Sequence, residues 1–274
     1  MTNKYIKLLL LIIGLYPKML DAKELPNVIY PNISTELQDY SLSVSEKNDY
    51  KQAWILLERG EKDKAYEVVN KYSESKAHRK GWSIVLSAIY YGQGKYGDAL
   101  LALQDIRIEL EKAYRLLGTR DVQLTKAEQD SLQYHYYKML LISGSSNFKL
   151  EKWTMALHDL LEYTKYNNDD IFVDDYIALA YHKNKDYDNA LLYFKRSYNG
   201  YQDGDLKDTA AYNIGAIYAL LANVTEAINW LTVPLKHDKI QWIRQINEDA
   251  DFDSIHNSPQ FKKFMSLQGN DLVK

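Results

Sequence analysis

Small and apolar residues recur along the chain at an interval of about 34 positions. Alanines at positions 65, 99, 156, 190 and 227 each follow a short polar turn, and the intervals between them are 34, 57, 34 and 37 residues. A second small residue lies twelve positions before each alanine, and an apolar residue lies four positions after it. The small residues are Ala53, Ser87, Gly144, Ala178 and Gly215, and the apolar residues are Val69, Leu103, Leu160, Phe194 and Leu231.

This double register has a physical reason. Two antiparallel helices joined by a tight turn approach closely only where each offers a small side chain, and large neighbours fill the flanking grooves. One such helix pair cannot bury its own apolar face, so successive pairs must stack on each other. The pattern therefore predicts an all-α protein built from about five helix hairpins.

The repeat resembles that of the tetratricopeptide repeat (TPR) family over residues 46–235. The resemblance rests on the 34-residue period, the two small positions, and an aromatic residue three positions before the alanine: Tyr96, Trp153 and Tyr187. Lys62 and Val224 occupy that place in the first and fifth units and depart from the pattern. The resemblance implies a right-handed α-solenoid whose first helices line a concave groove for extended or helical peptides. Bacterial exported members with a C-terminal capping segment are the most similar type.

Residues 107–133 interrupt the period inside the array, which we place at residues 46–238. An apolar series from Leu110 to Leu117 extends the preceding helix as far as Gly118, and Thr125 to Glu128 forms a capping box for the next helix. We expect two overlong helices that project from the array. These helices are either an extension that lies in solvent without a partner or a projecting surface for docking or dimerisation.

Residues 239–274 follow the fifth unit and are predicted to form C-terminal capping helices and a tail. Asp249, Asp251 and Asp253 alternate like the start of a calcium loop. Such a loop needs glycine at its sixth place and glutamate at its twelfth, where this chain has Ser254 and Gln260. We therefore interpret the acidic run as part of the capping segment.

The N-terminus has the pattern of a secretory signal peptide over residues 1–22. Lys4 and Lys7 precede an apolar run from Leu8 to Ile13, and Ala22 supplies a small residue at the break. The run is too short to span a bilayer. We expect an exported protein, periplasmic in a bacterium, without a membrane anchor after cleavage. Residues 23–45 show no clear period and are read as an extended N-terminal arm.

Composition narrows the function further. The net charge of −3 gives no basic surface for nucleic acid, and the absence of cysteine excludes thiol nucleophiles and cysteine-based zinc sites. The chain lacks the serine-hydrolase, phosphate-loop and dinucleotide motifs, and none of its six histidines forms a metal-binding pair. No catalytic residue, metal or cofactor is predicted.

The register projects ten residues onto the concave groove as candidate partner-binding positions. They are Tyr50, Trp54, Leu57, Ile84, Tyr91, Leu141, Phe148, Leu179, His182 and Tyr212. An aromatic and aliphatic face of this kind suits apolar anchors of a partner. The sequence thus favours a non-catalytic scaffold or adaptor that binds a protein or peptide in the cell envelope. The alternatives are a subunit of an assembly, secretion or polymer-export complex that docks through residues 107–133 and, less favoured, a carbohydrate-binding module or enzyme. Self-association and coverage of the groove by the N-terminal arm stay open.

Overall fold

The computed structural model describes residues 44–72, 76–117 and 125–270. All regular secondary structure in these ranges is helical, which confirms the all-α prediction. The chain divides into two compact units, unit 1 (Met1–Tyr166) and unit 2 (Asn167–Lys274). The predicted signal peptide (1–22), nearly all of the predicted arm (23–43) and residues 118–124 and 271–274 lie outside the described residues.

The described part of unit 1 forms three helix hairpins. Their helices are α1 (Val44–Glu58), α2 (Lys62–Asn70), α3 (Lys76–Gly92), α4 (Tyr96–Leu116), α5 (Lys126–Lys149) and α6 (Trp153–Thr164). Each helix contacts the next one along the chain, and α3 also contacts both α1 and α5. The first helices of the three hairpins are therefore neighbours, in the order in which they occur in the sequence.

Unit 2 contains two further hairpins and the C-terminal segment. Its helices are α7 (Ile171–Lys183), α8 (Tyr187–Gly200), α9 (Asp205–Leu220), α10 (Val224–Leu231), α11 (Lys239–Glu248), α12 (Asp253–His256) and α13 (Pro259–Asn270). Short 3₁₀ turns lie at Pro234–Lys236 and Ala250–Phe252. The second of these turns and α12 pack on α9, and α13 packs on α10. The C-terminal segment therefore folds back onto the last hairpin.

One turn geometry closes all five hairpins. The turn residues with positive φ, between 55° and 78°, are Gly60, Gly94, Glu151, Lys185 and Ala222. Each of them donates its N–H to the carbonyl three residues back, and the next residue donates to the carbonyl five residues back, at 2.8–3.0 Å. This pair of bonds is the Schellman ending of a helix. Residues as different as glycine and lysine adopt it at the same register, so the hairpins repeat in structure as well as in sequence.

The small residues of the register lie where the paired helices meet. All five alanines at the second-helix position are 0% exposed. A Cβ atom added to Gly144 would lie 2.8 Å from the Leu160 side chain, and one added to Gly215 would lie 3.1 Å from Leu231. The third and fifth hairpins therefore approach too closely at these points for any residue larger than glycine to fit without a shift.

The described parts of the insertion pack inside unit 1. Helix α4 has 21 residues and α5 has 24. Leu110, Ala113 and Leu132 are buried, and the ring of Tyr114 stacks on that of Tyr136 with centroids 4.3 Å apart. These side chains are thus covered by the chain's own unit. None of the described helices combines the length and apolarity that a membrane span requires.

Candidate functional site

Four of the ten projected groove residues lie in the interior. Tyr50 and Trp54 are each 4% exposed, and Ile84 and Tyr212 are each 1% exposed. Tyr50, Ile84 and Tyr212 share one register position, three residues before the small residue, and all three side chains are buried there. This corrects the projection: these four side chains belong to the core and offer almost no surface to a partner.

The other six projected residues are partly exposed: Leu57, Tyr91, Leu141, Phe148, Leu179 and His182. Four of these six share a second register position, four residues after the small residue, where the carbonyl accepts the first hydrogen bond of the turn. We call Leu57, Tyr91 and Phe148 the turn row of unit 1, and His182 and Ala219 the turn row of unit 2.

Aromatic residues at the start of the second helices support the turn row of unit 1. The rings of Tyr91 and Tyr96 lie 5.4 Å apart, and Phe148 meets Trp153 edge to face at 5.1 Å. Sequence reasoning used Tyr96 and Trp153 only as markers of the family. Their contacts with the row add them to the candidate surface, and their fixed distance of five residues from the row position was the signal that could have shown this.

The turn row of unit 2 is engaged by the C-terminal segment. The Nε2 atom of His182 lies 3.3 Å from Oδ2 of Asp251, and the Ser254 hydroxyl donates to the carbonyl of Ala219. The hydrogen bond from His182 holds the pKa of Asp251 below its usual value, and the nearby charge of Lys183 acts in the same direction. The chain therefore places an acidic segment of its own on this row.

The same segment also covers the interior of the last hairpin. The Tyr212 hydroxyl donates to Oδ2 of Asp249 over 2.6 Å, and its ring lies 5.5 Å from that of Phe252. Phe252 is fully buried in a core that also contains Trp242. The acidic run that resembles a calcium loop thus binds protein side chains, and Phe252 is its apolar anchor.

Lys149 follows Phe148 of the turn row in unit 1 and is half-buried at the end of α5. Burial lowers the pKa of its amine to about 8, because the charged form loses hydration. Among the described residues its amine has no hydrogen-bond or ion-pair partner. A half-buried cation beside a partly exposed aromatic row is suited to an anionic group from outside.

One of the buried carboxylates of unit 1, that of Asp159, belongs to a complete hydrogen-bond network. Asp159 is 2% exposed and accepts hydrogen bonds from Nη1 of Arg107 at 3.0 Å and from the Ser143 hydroxyl at 2.6 Å. Burial alone would raise the pKa of Asp159, but these hydrogen bonds outweigh it and hold the pKa below the usual value. The Ser143 hydroxyl donates to a carboxylate and not to a histidine, so the group ties α4, α5 and α6 together without forming a nucleophile.

Unit 2 buries a pair of adjacent carboxylates with weaker compensation. Asp175 accepts hydrogen bonds from the hydroxyls of Ser197 and Tyr201, each over 2.5 Å, and burial raises its pKa to about 6. Asp174 is 1% exposed; Oδ2 lies 3.3 Å from Nε of Arg196, while its buried Oδ1 has no hydrogen-bond partner. Burial raises the pKa of Asp174 to about 7, despite the neighbouring guanidinium.

Within the described ranges, no group of three or more histidine, aspartate or glutamate side chains is placed to hold a metal ion. Neither a scan against protein-family models nor a search of curated proteins returned a match to this chain.

Proposed function

We propose that the protein is an exported, non-catalytic scaffold that binds a partner protein or peptide in the cell envelope, in the periplasm of a bacterium. In this proposal its hairpins form a TPR-like array of about five repeats, a right-handed α-solenoid. The identical turn geometry of the five hairpins supports the repeat, since five independent turns would have no reason to place positive φ at one register position.

The observation that carries the binding proposal is the turn row of unit 1. Leu57, Tyr91 and Phe148 stay partly exposed on α1, α3 and α5, whose neighbouring members contact each other. Apolar side chains in such a series offer anchor positions to an extended or helical segment, and buried aromatic contacts dominate the free energy of most protein interfaces. The row replaces the wider groove inferred from the sequence.

The insertion stays the second candidate because of one exposed side chain. Ile108 lies within residues 107–133 on α4 and is 68% exposed. A large exposed aliphatic side chain can belong to a docking surface, although single exposed apolar residues are common on soluble proteins. An envelope-complex subunit that docks through this helix would use Ile108 and not the turn row.

A crosslinked pull-down from the protein's own envelope extract separates the two candidates. We expect the full chain to recover a defined protein, and the double variant Tyr91→Ser, Phe148→Ser to lose it. The matched control is Leu101→Ser, Met155→Ser, which changes side chains 68% and 59% exposed on α4 and α6. If Ile108→Ser loses the partner and the row variant still recovers it, the binding surface lies on the insertion. Recovery of the same partner by all variants would reject both surfaces.

A further inference from the structure

A small cavity opens between the first two hairpins of unit 1. It lies between α2 and α3, is partly open at the surface, and has a volume of about 60 Å³. Among the described residues that line it, none is charged, and Asn70 is the polar member. Its other lining residues are apolar or aromatic: Tyr66, Val69, Tyr72, Trp82, Leu86 and Tyr90. A cavity of this kind is suited to an uncharged apolar group.

The aromatic walls of the cavity are held by contacts within unit 1. The ring of Tyr72 stacks on that of Trp82 with centroids 4.5 Å apart, and the Tyr72 hydroxyl donates to Oδ2 of Asp49 over 2.7 Å. The rings of Tyr66 and Tyr90 lie 6.2 Å apart. The cavity remains with all of these contacts in place. Because its walls are already fixed, an occupant can enter without much reordering of side chains.

The register indicates why the first hairpin has unfilled space here. Val69 lies four residues after the second-helix alanine, where the other hairpins have leucine or phenylalanine, and all five side chains are buried. The fourth hairpin is the most direct comparison, because its Phe194 is combined with a small residue, Ala178, of the same type as Ala53 of the first. The first hairpin therefore has less apolar volume at this position than any of the other four.

The size of the cavity limits the kind of occupant. An apolar cavity of about 150 Å³ accepts a benzene ring, so one of about 60 Å³ is too small for an aromatic side chain. It has room for a branched aliphatic group such as the isobutyl end of leucine. A charged side chain would lose its hydration there without gaining a partner, because the described lining residues carry no charge.

We propose that this cavity is an anchor pocket of unit 1 for one leucine-like aliphatic side chain of the partner segment. The pocket rests on the proposed function and names one part of the partner's chemistry. A side chain that enters it removes apolar surface of both molecules from water, which is how anchor residues contribute to an interface. The anchor pocket is distinct from the turn row, since Leu57, Tyr91 and Phe148 do not belong to its lining residues.

The direct test is an NMR titration of the full chain with N-acetyl-leucinamide, which carries the proposed side chain and no charge. The methyl signals of Val69 and Leu86 should shift in a saturable way, in the millimolar range because few atoms make contact. N-acetyl-alaninamide should bind about tenfold more weakly or worse, since it buries less apolar surface. The absence of a saturable shift, or equal binding of the leucine, alanine and phenylalanine amides, would overturn the anchor pocket.

A cavity-filling variant tests the same site against the partner. Val69→Phe gives the first hairpin the residue that the fourth has at this position, so it should weaken leucinamide binding about tenfold and lose the partner in the pull-down. The matched control Val224→Phe lies in unit 2, where three other hairpins have an aromatic residue, and should bind as the wild type does. Thermal unfolding shows whether each variant is folded, and Val69→Leu, as in the second hairpin, replaces a variant that is not. Unchanged leucinamide binding by the folded variant would overturn the pocket.

The outcome is separable from that of the proposed function. If the partner is lost with the row variant Tyr91→Ser, Phe148→Ser and is still recovered by Val69→Phe, the scaffold stands and the anchor pocket fails. If Val69→Phe loses the partner and the row variant still recovers it, the anchor pocket stands and the proposed use of the row fails. Loss of the partner with both variants, but not with Val224→Phe, supports both surfaces.

Discussion

Units 1 and 2 share one hairpin design and differ in what lies on its turn row. In unit 1, Leu57, Tyr91 and Phe148 remain partly exposed, whereas in unit 2 the C-terminal segment bonds to His182 and Ala219. A stacked hairpin leaves an apolar edge that must meet a partner or a cap. The same register position therefore lies against the C-terminal segment in unit 2 and stays partly exposed in unit 1.

Two buried carboxylate networks, one in each unit, favour opposite charge states. Asp159 in unit 1 is paired with a guanidinium and a hydroxyl, so its charged form is favoured. In unit 2, Asp174 has one guanidinium and Asp175 has two hydroxyls, and burial favours the neutral forms of both. The first network links three helices through a charged carboxylate. The second makes the stability of unit 2 depend on pH.

The largest expected effect comes from breaking the network of unit 1. The substitution Arg107→Met leaves Asp159 buried without its cation, which typically costs about 3–5 kcal/mol of the free energy of unfolding. Urea denaturation of the full chain measures it. The double variant Arg107→Met, Asp159→Leu should regain most of this loss, because an apolar pair replaces the ion pair; no recovery would mean that Arg107 acts through other contacts.

The second largest effect is expected in the pH dependence of stability, which should have opposite signs in the two units. The pKa of Asp174 and Asp175 is raised in the folded state, to about 7 and about 6, so the folded state binds more protons than the unfolded one. Unit 2 should therefore gain stability as the pH falls from about 8 toward the unfolded value near 4, on the order of 1–2 kcal/mol after allowance for solvent screening. Asp159 has a lowered pKa, so its contribution is present above pH ~4 and is lost only below it.

Hydrogen exchange followed by mass spectrometry resolves this pH response for each unit separately. Peptides from α7 and α8 should become more protected between pH 8 and 5, after correction for intrinsic exchange rates, while those from α5 and α6 should not. The variant Asp175→Asn should reduce the slope in unit 2, and Asp188→Asn, which changes an exposed acid of the same hairpin, should leave it intact. Equal slopes in both units would contradict the assignment.

The shared turn predicts effects of opposite sign at equivalent positions. Gly94 has a φ of 78°, where a Cβ atom is unfavourable, so Gly94→Ala should destabilise unit 1 by about 1 kcal/mol. Lys185 has a φ of 61° without being glycine, so Lys185→Gly should stabilise unit 2 by up to about 1 kcal/mol. Thermal unfolding of both variants checks the pair, and a loss of stability in Lys185→Gly would show that its side chain contributes more than its backbone costs.

The smallest effect concerns the starts of the second helices. In unit 2 the side chain of Asp186 accepts a hydrogen bond from the N–H of Asn189, whereas Lys152 at the equivalent place of unit 1 makes no such bond. Asp186→Ala should cost about 1 kcal/mol, and Lys152→Asp should add about 0.5–1 kcal/mol by supplying the missing cap. Circular-dichroism melting curves measure both changes.

The repeat explains which parts of the structure could be predicted from sequence. The alanine register predicted helix pairs because small residues at a crossing are a local requirement with a fixed spacing, and the confirmed all-α class follows from it. The groove projection was less successful, because it counted Tyr50, Ile84 and Tyr212 as open, whereas packing of neighbouring elements buries them. Asp175 stands at that same position, and a carboxylate among tyrosine, isoleucine and leucine was a signal of the buried pair.

Other parts of the site were beyond sequence reasoning. Arg107 and Asp159 are 52 residues apart in the chain, and only the packing of α4 and α6 on the same helix, α5, brings them together. Whether the Lys149 amine is buried without a partner depends on how α5 packs in unit 1, which a single sequence does not specify. The return of Asp251 to His182 likewise depends on the path of the C-terminal segment.

Cysteine labelling compares the accessibility of the two turn rows. The chain has no cysteine, so a single Tyr91→Cys or Ala219→Cys variant gives one labelling site. Maleimide labelling should be fast at position 91 in unit 1 and slow at position 219 in unit 2, and the recovered partner should protect position 91. Equal labelling rates at the two positions, or no protection at position 91, would contradict this expectation.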